Sequence, residues 1–459
     1  MRSEPNDSRV DEGGLERLVH RIAEQNASLL ERIDDLLAQN KALLARVAEL
    51  EAKLGQPPKT PDNSSLPPSK GQKSNAQETA PKKGRRGRPG VARALCANPD
   101  ATRNIYAKKC ACGAKLSEAD QPDVFAYDHL DLPPIKPITT RINLHKGQCP
   151  CCKRRVVATA PADMPSGSPF GPGIVSLVTY LHACQMVSYN RLVEMLGGLF
   201  NIEISEGAIA NMLSRAQTPL AASAVAIAET VRTSPVVGSD ETSARVKGRT
   251  HWQWAFGCAT AVYHVITETR GKIVPINFLR GCRPKVWLSD RYAAQCKHAD
   301  VHQHCLSHLI RDAQFAIDAG DRIFAPSFKR LLQTACKLGQ RRKRMSDAVI
   351  ERCAQMLRRR LDRLIDLAPT QKDGNHLRAA MQLGGRDHLF VFMSRRDVEP
   401  TNNASERNLR PSVIFRKVTN GFRSEWGAKV YADICSIVGT GRLADRSPLA
   451  SLRAALATA

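Results

Sequence analysis

Three carboxylates stand where they could do chemistry. Val236-Val237-Gly238-Ser239-Asp240 is a short apolar run that ends in an acid, and Lys285-Val286-Trp287-Leu288-Ser289-Asp290 repeats the pattern fifty residues on. Each reads as a buried strand with an aspartate at its C-terminal end. Alone, such an aspartate is more often a loop cap. Two on one rim make a carboxylate pair, and Glu406 in PTNNASERNLRP offers a third from the first turn of a helix. That stretch also reads as a capping box, with Asn403 as the cap and Glu406 reaching back; the two roles are compatible. The chemistry that needs such a trio is phosphodiester transfer. Mg²⁺ takes oxygen ligands, and two divalent ions about 3.5–4 Å apart activate a nucleophile, stabilise a leaving oxygen and neutralise charge. The expected cofactor is Mg²⁺ or Mn²⁺ on Asp240, Asp290 and Glu406, with Arg407 and Arg410 serving a polyanionic substrate.

Cysteine carries a second chemistry. KKCACGAKL holds Cys110 and Cys112, and KGQCPCCKRR holds Cys149 and Cys152, with Cys151 spare. Two such knuckles read as a structural Zn²⁺ ribbon. The first is one residue tighter than usual, so the site is either these four thiolates, an incomplete set, or one that takes His145. Lys153, Arg154 and Arg155 beside the second knuckle point to phosphate. His298, His302, His304, Cys305 and His308 lie within eleven residues. They read as a second zinc site or, preferably, as leaving His308 at a helix start near the carboxylates.

These sites need elements to position them. The chain has 459 residues, too many for one ordinary core. Lys+Arg is 68 against 44 Asp+Glu, a net charge of +24. That excess suits a polyanion, nucleic acid first. No run of 18 apolar residues occurs and the N-terminal stretch is polar, which reads as no signal peptide, no spanning helix and no membrane partner. Fourteen scattered cysteines suit a reducing cytoplasm.

Residues 1–56 read as a coiled coil: Leu15, Ile22, Leu29, Leu36, Leu43 and Leu50 at d, and Val19, Asn26, Ile33, Asn40, Val47 and Leu54 at a. That seam favours a parallel homodimer, against the alternative of one amphipathic helix packed on its own chain. Residues 57–105 read as a basic, disordered linker. Arg85, Arg86 and Arg88 within it form either an AT-hook-like minor-groove insert or a solvated basic run. The ribbon occupies 106–160. Residues 161–230 are helical, broken at Gly197-Gly198, with Ser205 capping EGAIANMLSRA; this is either a helix-turn-helix or a structural subdomain. Residues 231–310 give the first part of an α/β core, in which HWQWAFGCAT and AVYHVITETRG form a hairpin. Residues 311–384 are a basic helical insertion that contacts DNA or packs on the core. Residues 385–432 complete the core with Glu406, and 433–459 form a helical tail.

Two strand-borne aspartates and a later helical glutamate form the constellation of ribonuclease-H-like nucleotidyl transferases. The chain resembles the transposases of the insertion-sequence-66 family, of the acid-triad (DDE) type. The resemblance rests on NSSLPPSK, the cysteine knuckles, YNRLVEMLGG, ISEGAIANMLSRA, VVGSDETSARV, HWQWAFG, WLSDRYA, CLSHLIRD and NNASERNLRPSVIFRK, in family order over nearly the whole chain. The tight first knuckle departs from the pattern. The resemblance implies that Asp240, Asp290 and Glu406 are the triad and that Cys305 and His308 form a Cys-x2-His element beside it. The implied activity is cutting of element ends and joining of the freed 3′-hydroxyls to target DNA. The implied setting is a bacterial-type, nucleoid-associated cytoplasm, with small accessory proteins of the same element as partners. Rival readings are a DNA-binding regulator without chemistry and a nuclease that does not join strands.

Overall fold

A computed structural model describes residues 12–54, 56–57, 59–64, 93–133 and 135–457. Arg85, Arg86 and Arg88 lie outside the described residues, as does most of NSSLPPSK. In chain order the chain forms α1 (Glu12–Leu54), β1 (Lys146–Gln148), β2 (Arg155–Val157), α2 (Pro172–Gln185), α3 (Tyr189–Phe200) and α4 (Glu206–Arg232). Then come β3 (Val236–Val246), β4 (Arg249–Gly257), β5 (Val262–Thr267), α5 (Ile273–Leu279), β6 (Val286–Ser289) and β7 (Val301–His304). Helices follow: α6 (Leu306–Asp318), α7 (Phe324–Arg341), α8 (Asp347–Ile365), α9 (Lys372–Gln382), α10 (Val391–Ser394), α11 (Asn403–Thr419), α12 (Glu425–Leu443) and α13 (Pro448–Ala457). They fall into two compact units, Met1–Gln72 with Leu306–Arg396, and Lys73–Cys305 with Asp397–Ala459. Among the described residues no helix is long and apolar enough to cross a membrane.

The second unit is built on a five-stranded sheet of order β5-β4-β3-β6-β7. β3, β4 and β5 pair antiparallel, whereas β6 joins β3 and β7 joins β6 in parallel. A meander of three strands followed by two parallel ones, with helices around it, is compatible with a ribonuclease-H-like core. One face packs Val237, Trp254, Phe256 and Trp287 against Ala228 and Val231 of α4 and Phe278 of α5. The Phe256 and Phe278 rings stack with centroids 4.0 Å apart. α11 lies on β3 and β4, and α12 on β5. β5 is an edge strand whose outward N–H groups would template pairing with another chain. α12 covers them: Ser436 Oγ accepts from His264 N at 2.8 Å and Thr440 Oγ1 from Val262 N at 3.0 Å.

Two expectations need correction here. Asp240 does not end its strand. β3 runs on to Val246 because it turns directly into β4 through Lys247 and Gly248, both at positive φ (47° and 76°), the backbone a two-residue hairpin requires. Nor do Gly197-Gly198 break the helical region. The break falls at left-handed Met186 and the Ser188 cap, and α3 passes through both glycines before ending at left-handed Asn201. Ser205 does cap the next helix, accepting from Ala208 N at 3.1 Å. That helix is 27 residues long and its far end enters the sheet's core.

In the first unit, α6 to α10 make up the stretch Leu306–Arg396. Fully buried Asp321 accepts N–H bonds from Ile323, Ala325 and Thr370, tying the start of α7 to the α8–α9 connection. A Cβ on Gly374 would lie 2.1 Å from its Oδ2, so only glycine fits there. Among the described residues of the linker, buried Asn63 donates to Asp318 of α6 at 2.9 Å. Along α1, Leu29, Ile33, Leu36, Leu43 and Val47 are all exposed.

Candidate active site

Parallel pairing aligns Val236 with Val286, Val237 with Trp287 and Gly238 with Leu288. Asp240 lies two residues beyond Gly238 on β3, and Asp290 directly follows the last residue of β6, at the same offset of fifty. In-register side chains on neighbouring strands share a face, and the strands are about 4.8 Å apart. Alternation along β3 sends Val237, Ser239 and Glu241 to the α4–α5 side and Gly238 and Asp240 to the α11 side. α11 is seated close. A Cβ on Gly238 would lie 3.2 Å from both Asn402 Oδ1 and Ser405 Oγ.

Asn402 fastens that seat. Its Nδ2 donates to Ser239 O at 2.7 Å, and its backbone N–H donates to Cys305 Sγ at 3.1 Å. Asn402, not Asn403, occupies the cap position of α11, and its side chain makes no capping bond. The capping box is therefore replaced by a link from the helix start to the strand that carries Asp240. Glu406 follows in the first turn, its N–H bonded to Asn402 O at 3.2 Å. A Glu406 carboxylate oxygen lies within 4.8 Å of the buried Cys305 Sγ.

Burial, then the negative charges of Glu241, Asp290 and Glu406, push the Asp240 carboxyl well above the usual carboxylate range. A cation beside Asp240 would offset that negative field. Asp240, Asp290 and Glu406 are each partly open to solvent, and Arg407 and Arg410 are exposed on α11.

Within the histidine run, the His302 and His304 rings meet edge-on with centroids 4.7 Å apart. His298 bonds to Ala294 O at 2.7 Å and packs on Trp287, while His302 bonds to Ser289 Oγ at 2.9 Å. The parallel register places His302 beside Trp287 and His304 beside Ser289, on the sheet face away from Asp240. His308 lies in the first turn of α6, in the other unit.

At the second knuckle, Cys149 N donates to Arg154 O and Lys153 N to Cys149 O, both at 2.9 Å, with Lys153 left-handed at the tip of β1–β2. At the first, Cys110 N donates to Ala114 O and Gly113 N to Cys110 O, again at 2.9 Å, with Gly113 left-handed. The two turns share one hydrogen-bond pattern, the first a residue shorter. Backbone N–H groups of Cys152 and Cys151, and the Cys152 thiol, lower the Cys149 thiol; the Cys112 N–H and thiol, with the Ala111 N–H, lower Cys110. Lowering favours the thiolate, the metal-binding form. Each knuckle pairs its own thiols, and among the described residues no three of these cysteines come within 4.8 Å. Lys153, Arg154 and Arg155 are exposed beside them.

Sequence reasoning missed Gly238, Asn402, Glu241, Arg270 and Gln295. Glu241 adjoins Asp240, yet its side chain is buried on the opposite face, bonded to Arg270 and Gln295. Its adjacency was the one visible signal.

A family model described as "Transposase IS66 family" matches residues 167–430, more than half of the chain. The match contains all three acids and the whole insertion. No curated protein matches the chain.

Proposed function

Because the chain belongs to the IS66 transposase family, we propose that it is a DNA transposase whose Asp240, Asp290 and Glu406 hold Mg²⁺ or Mn²⁺. It cuts element ends and joins the 3′-hydroxyls to target DNA. The observation that carries this is the placement of the acids: Asp240 lies on β3, Asp290 directly follows β6, which pairs with β3, and Glu406 lies in the first turn of α11, which packs on β3. The bound cation supplies neutralised phosphate charge and an activated nucleophile. The protein's own part is positional. β3 carries Asp240, the loop that follows β6 carries Asp290, Asn402 seats the helix that brings Glu406, and Arg407 and Arg410 hold phosphate oxygens. The test is cleavage and strand transfer by purified protein on duplexes bearing candidate ends, with Mg²⁺ and with or without accessory proteins of the element. Metal-dependent cuts with joined products are expected. Cuts without joining would make it a nuclease, and binding without cuts a regulator.

The ribbon and α1 serve DNA recognition and assembly in this reading. The donor set fits Zn²⁺: Cys149 and Cys152 on one turn, Cys110 and Cys112 on a shorter version of it, with lowered thiols at both first positions. One zinc per chain is expected, lost in Cys149→Ser or Cys152→Ser and largely kept in Cys151→Ser. Elemental analysis of the full chain decides this, and equal loss in Cys151→Ser contradicts the assignment. Loss weakens end recognition through Lys153, Arg154 and Arg155, and leaves the carboxylate site intact.

The exposed seam of α1 fits a second copy of itself. Deleting residues 1–55 is expected to give a smaller oligomer that still binds a single end. An unchanged mass by light scattering rejects α1 as the assembly element.

A further inference from the structure

Glu241 is a buried acid that the triad does not use. Its side chain is 1 % exposed. Oε1 accepts from Arg270 Nε at 2.8 Å and Nη2 at 2.6 Å, and Oε2 accepts from Gln295 Nε2 at 2.6 Å. Gln295 is fully buried and accepts in turn from Trp287 Nε1 of β6 at 3.1 Å. The Arg270 guanidinium stacks 4.0 Å from the Tyr292 ring centroid and 4.8 Å from that of Trp252. Tyr292 donates its N–H to Asp290 Oδ1 at 2.9 Å, and Gln295 donates its N–H to Tyr292 O at 2.9 Å. One carboxylate thus grips the loop after β6 at two points: through Arg270 at Tyr292, and directly at Gln295. Asp290 sits at the head of that loop.

We propose that Glu241 is a positioning residue that sets the Asp290 carboxylate through Arg270, Tyr292 and Gln295, and is not a fourth metal ligand. The inference rests on the triad reading above. A carboxylate offers about four lone-pair sites, and three N–H donors already engage this one, two of them from a guanidinium. A metal ion competing for those oxygens would have to break a buried ion pair, which is strongly unfavourable. The Glu241 charge still acts at a distance. Glu241 adjoins Asp240 on β3 with its side chain on the opposite face, so its charge adds to the field near the triad without touching the cation.

The test uses the full chain, as wild type, Glu241→Gln and Arg270→Gln. Mn²⁺ binding is followed by calorimetry, cleavage is measured at saturating Mg²⁺, and each variant is melted. Residues that orient metal ligands typically cost about 10–100-fold when replaced. Glu241→Gln is expected to keep the wild-type Mn²⁺ stoichiometry, bind it about tenfold more weakly, and cleave at least about tenfold more slowly even when metal is saturating. Arg270→Gln removes the buried partner of Glu241 and the stack on Tyr292. It is expected to keep the wild-type Mn²⁺ stoichiometry, bind it about tenfold more weakly and cleave about tenfold more slowly, as Asp290 loses its positioning. Loss of Mn²⁺ stoichiometry in Glu241→Gln would make it a ligand and overturn the proposal. So would wild-type cleavage in Glu241→Gln, whether or not its melting point falls. Should Glu241→Gln not fold, Arg270→Gln decides, and wild-type cleavage there overturns the proposal as well. Wild-type protein that neither binds Mn²⁺ nor cleaves fails the triad reading itself, a separate outcome, and takes this proposal with it.

Discussion

Asp240→Asn, Asp290→Asn and Glu406→Gln are each expected to lose at least about a thousandfold in metal-dependent cleavage while still binding DNA. Each substitution keeps the shape of the side chain and removes one negative charge. A bound divalent ion contributes several kcal/mol of charge stabilisation to phosphoryl transfer, and roughly 1.4 kcal/mol is a factor of ten in rate. Losing a ligand charge therefore costs about 4 kcal/mol or more. DNA affinity is set by cationic contacts to phosphate, so binding in gel-shift assays stays near wild type. Asp240→Asn carries an added signature. Its carboxyl is the one strained by burial and by three neighbouring acids, so its removal relieves repulsion and the metal-free protein melts no lower than wild type. Any one of the three variants cleaving at the wild-type rate removes that residue from the site.

The second large effect comes from a residue with no side chain. Gly238→Val is expected to cleave about a hundredfold more slowly than wild type, whereas Gly238→Ala is mild. The Cβ position already lies 3.2 Å from Asn402 Oδ1 and Ser405 Oγ. A single methyl asks those atoms to give by a few tenths of an ångström. Two further methyls push the start of α11 off β3, and Glu406 travels with it. A misplacement of about 1 Å at a reacting centre costs about 10²-fold. Overpacking typically costs about 1–3 kcal/mol of stability, so the rate must be expressed per folded molecule. Gly238→Val with a wild-type rate per folded molecule would show that α11 does not need this seat to place Glu406.

Much of this site was legible in the chain because its spacing is a register. Val236 and Val286 pair in parallel at an offset of fifty residues, the same offset that separates Asp240 from Asp290. The β4–β5 hairpin was legible from its β-branched and aromatic runs. The position of Asp240 within β3 was not, because a strand's end depends on its partners: β6 stops at Ser289 while β4 accompanies β3 to Val246. The cap of α11 was misplaced by one residue for a related reason. Asn402 and Asn403 are equivalent as local caps, and the choice is made by Ser239 O and Cys305 Sγ, 163 and 97 residues away in the chain. Glu241 looked like a spare acid beside Asp240, since alternation hides from the sequence that its partners, Arg270 and Gln295, wait on the other face. The knuckles were legible, and the tight one less so. Left-handed Gly113 after Cys112 does what left-handed Lys153 does after Cys152, and closes the same turn with one residue fewer. The histidine run was legible in part: His308 does lie at a helix start, while His302 and His304 lie on one sheet face.

The central claim is that Asp240, Asp290 and Glu406 form one divalent-cation site. The most direct measurement is anomalous diffraction from crystals of the full chain soaked in Mn²⁺. The account predicts anomalous peaks within coordination distance of carboxylate oxygens from all three residues, absent in Asp240→Asn. Mn²⁺ bound elsewhere, or bound by Glu241 in place of Asp290 or Glu406, in protein that cleaves DNA, would contradict it.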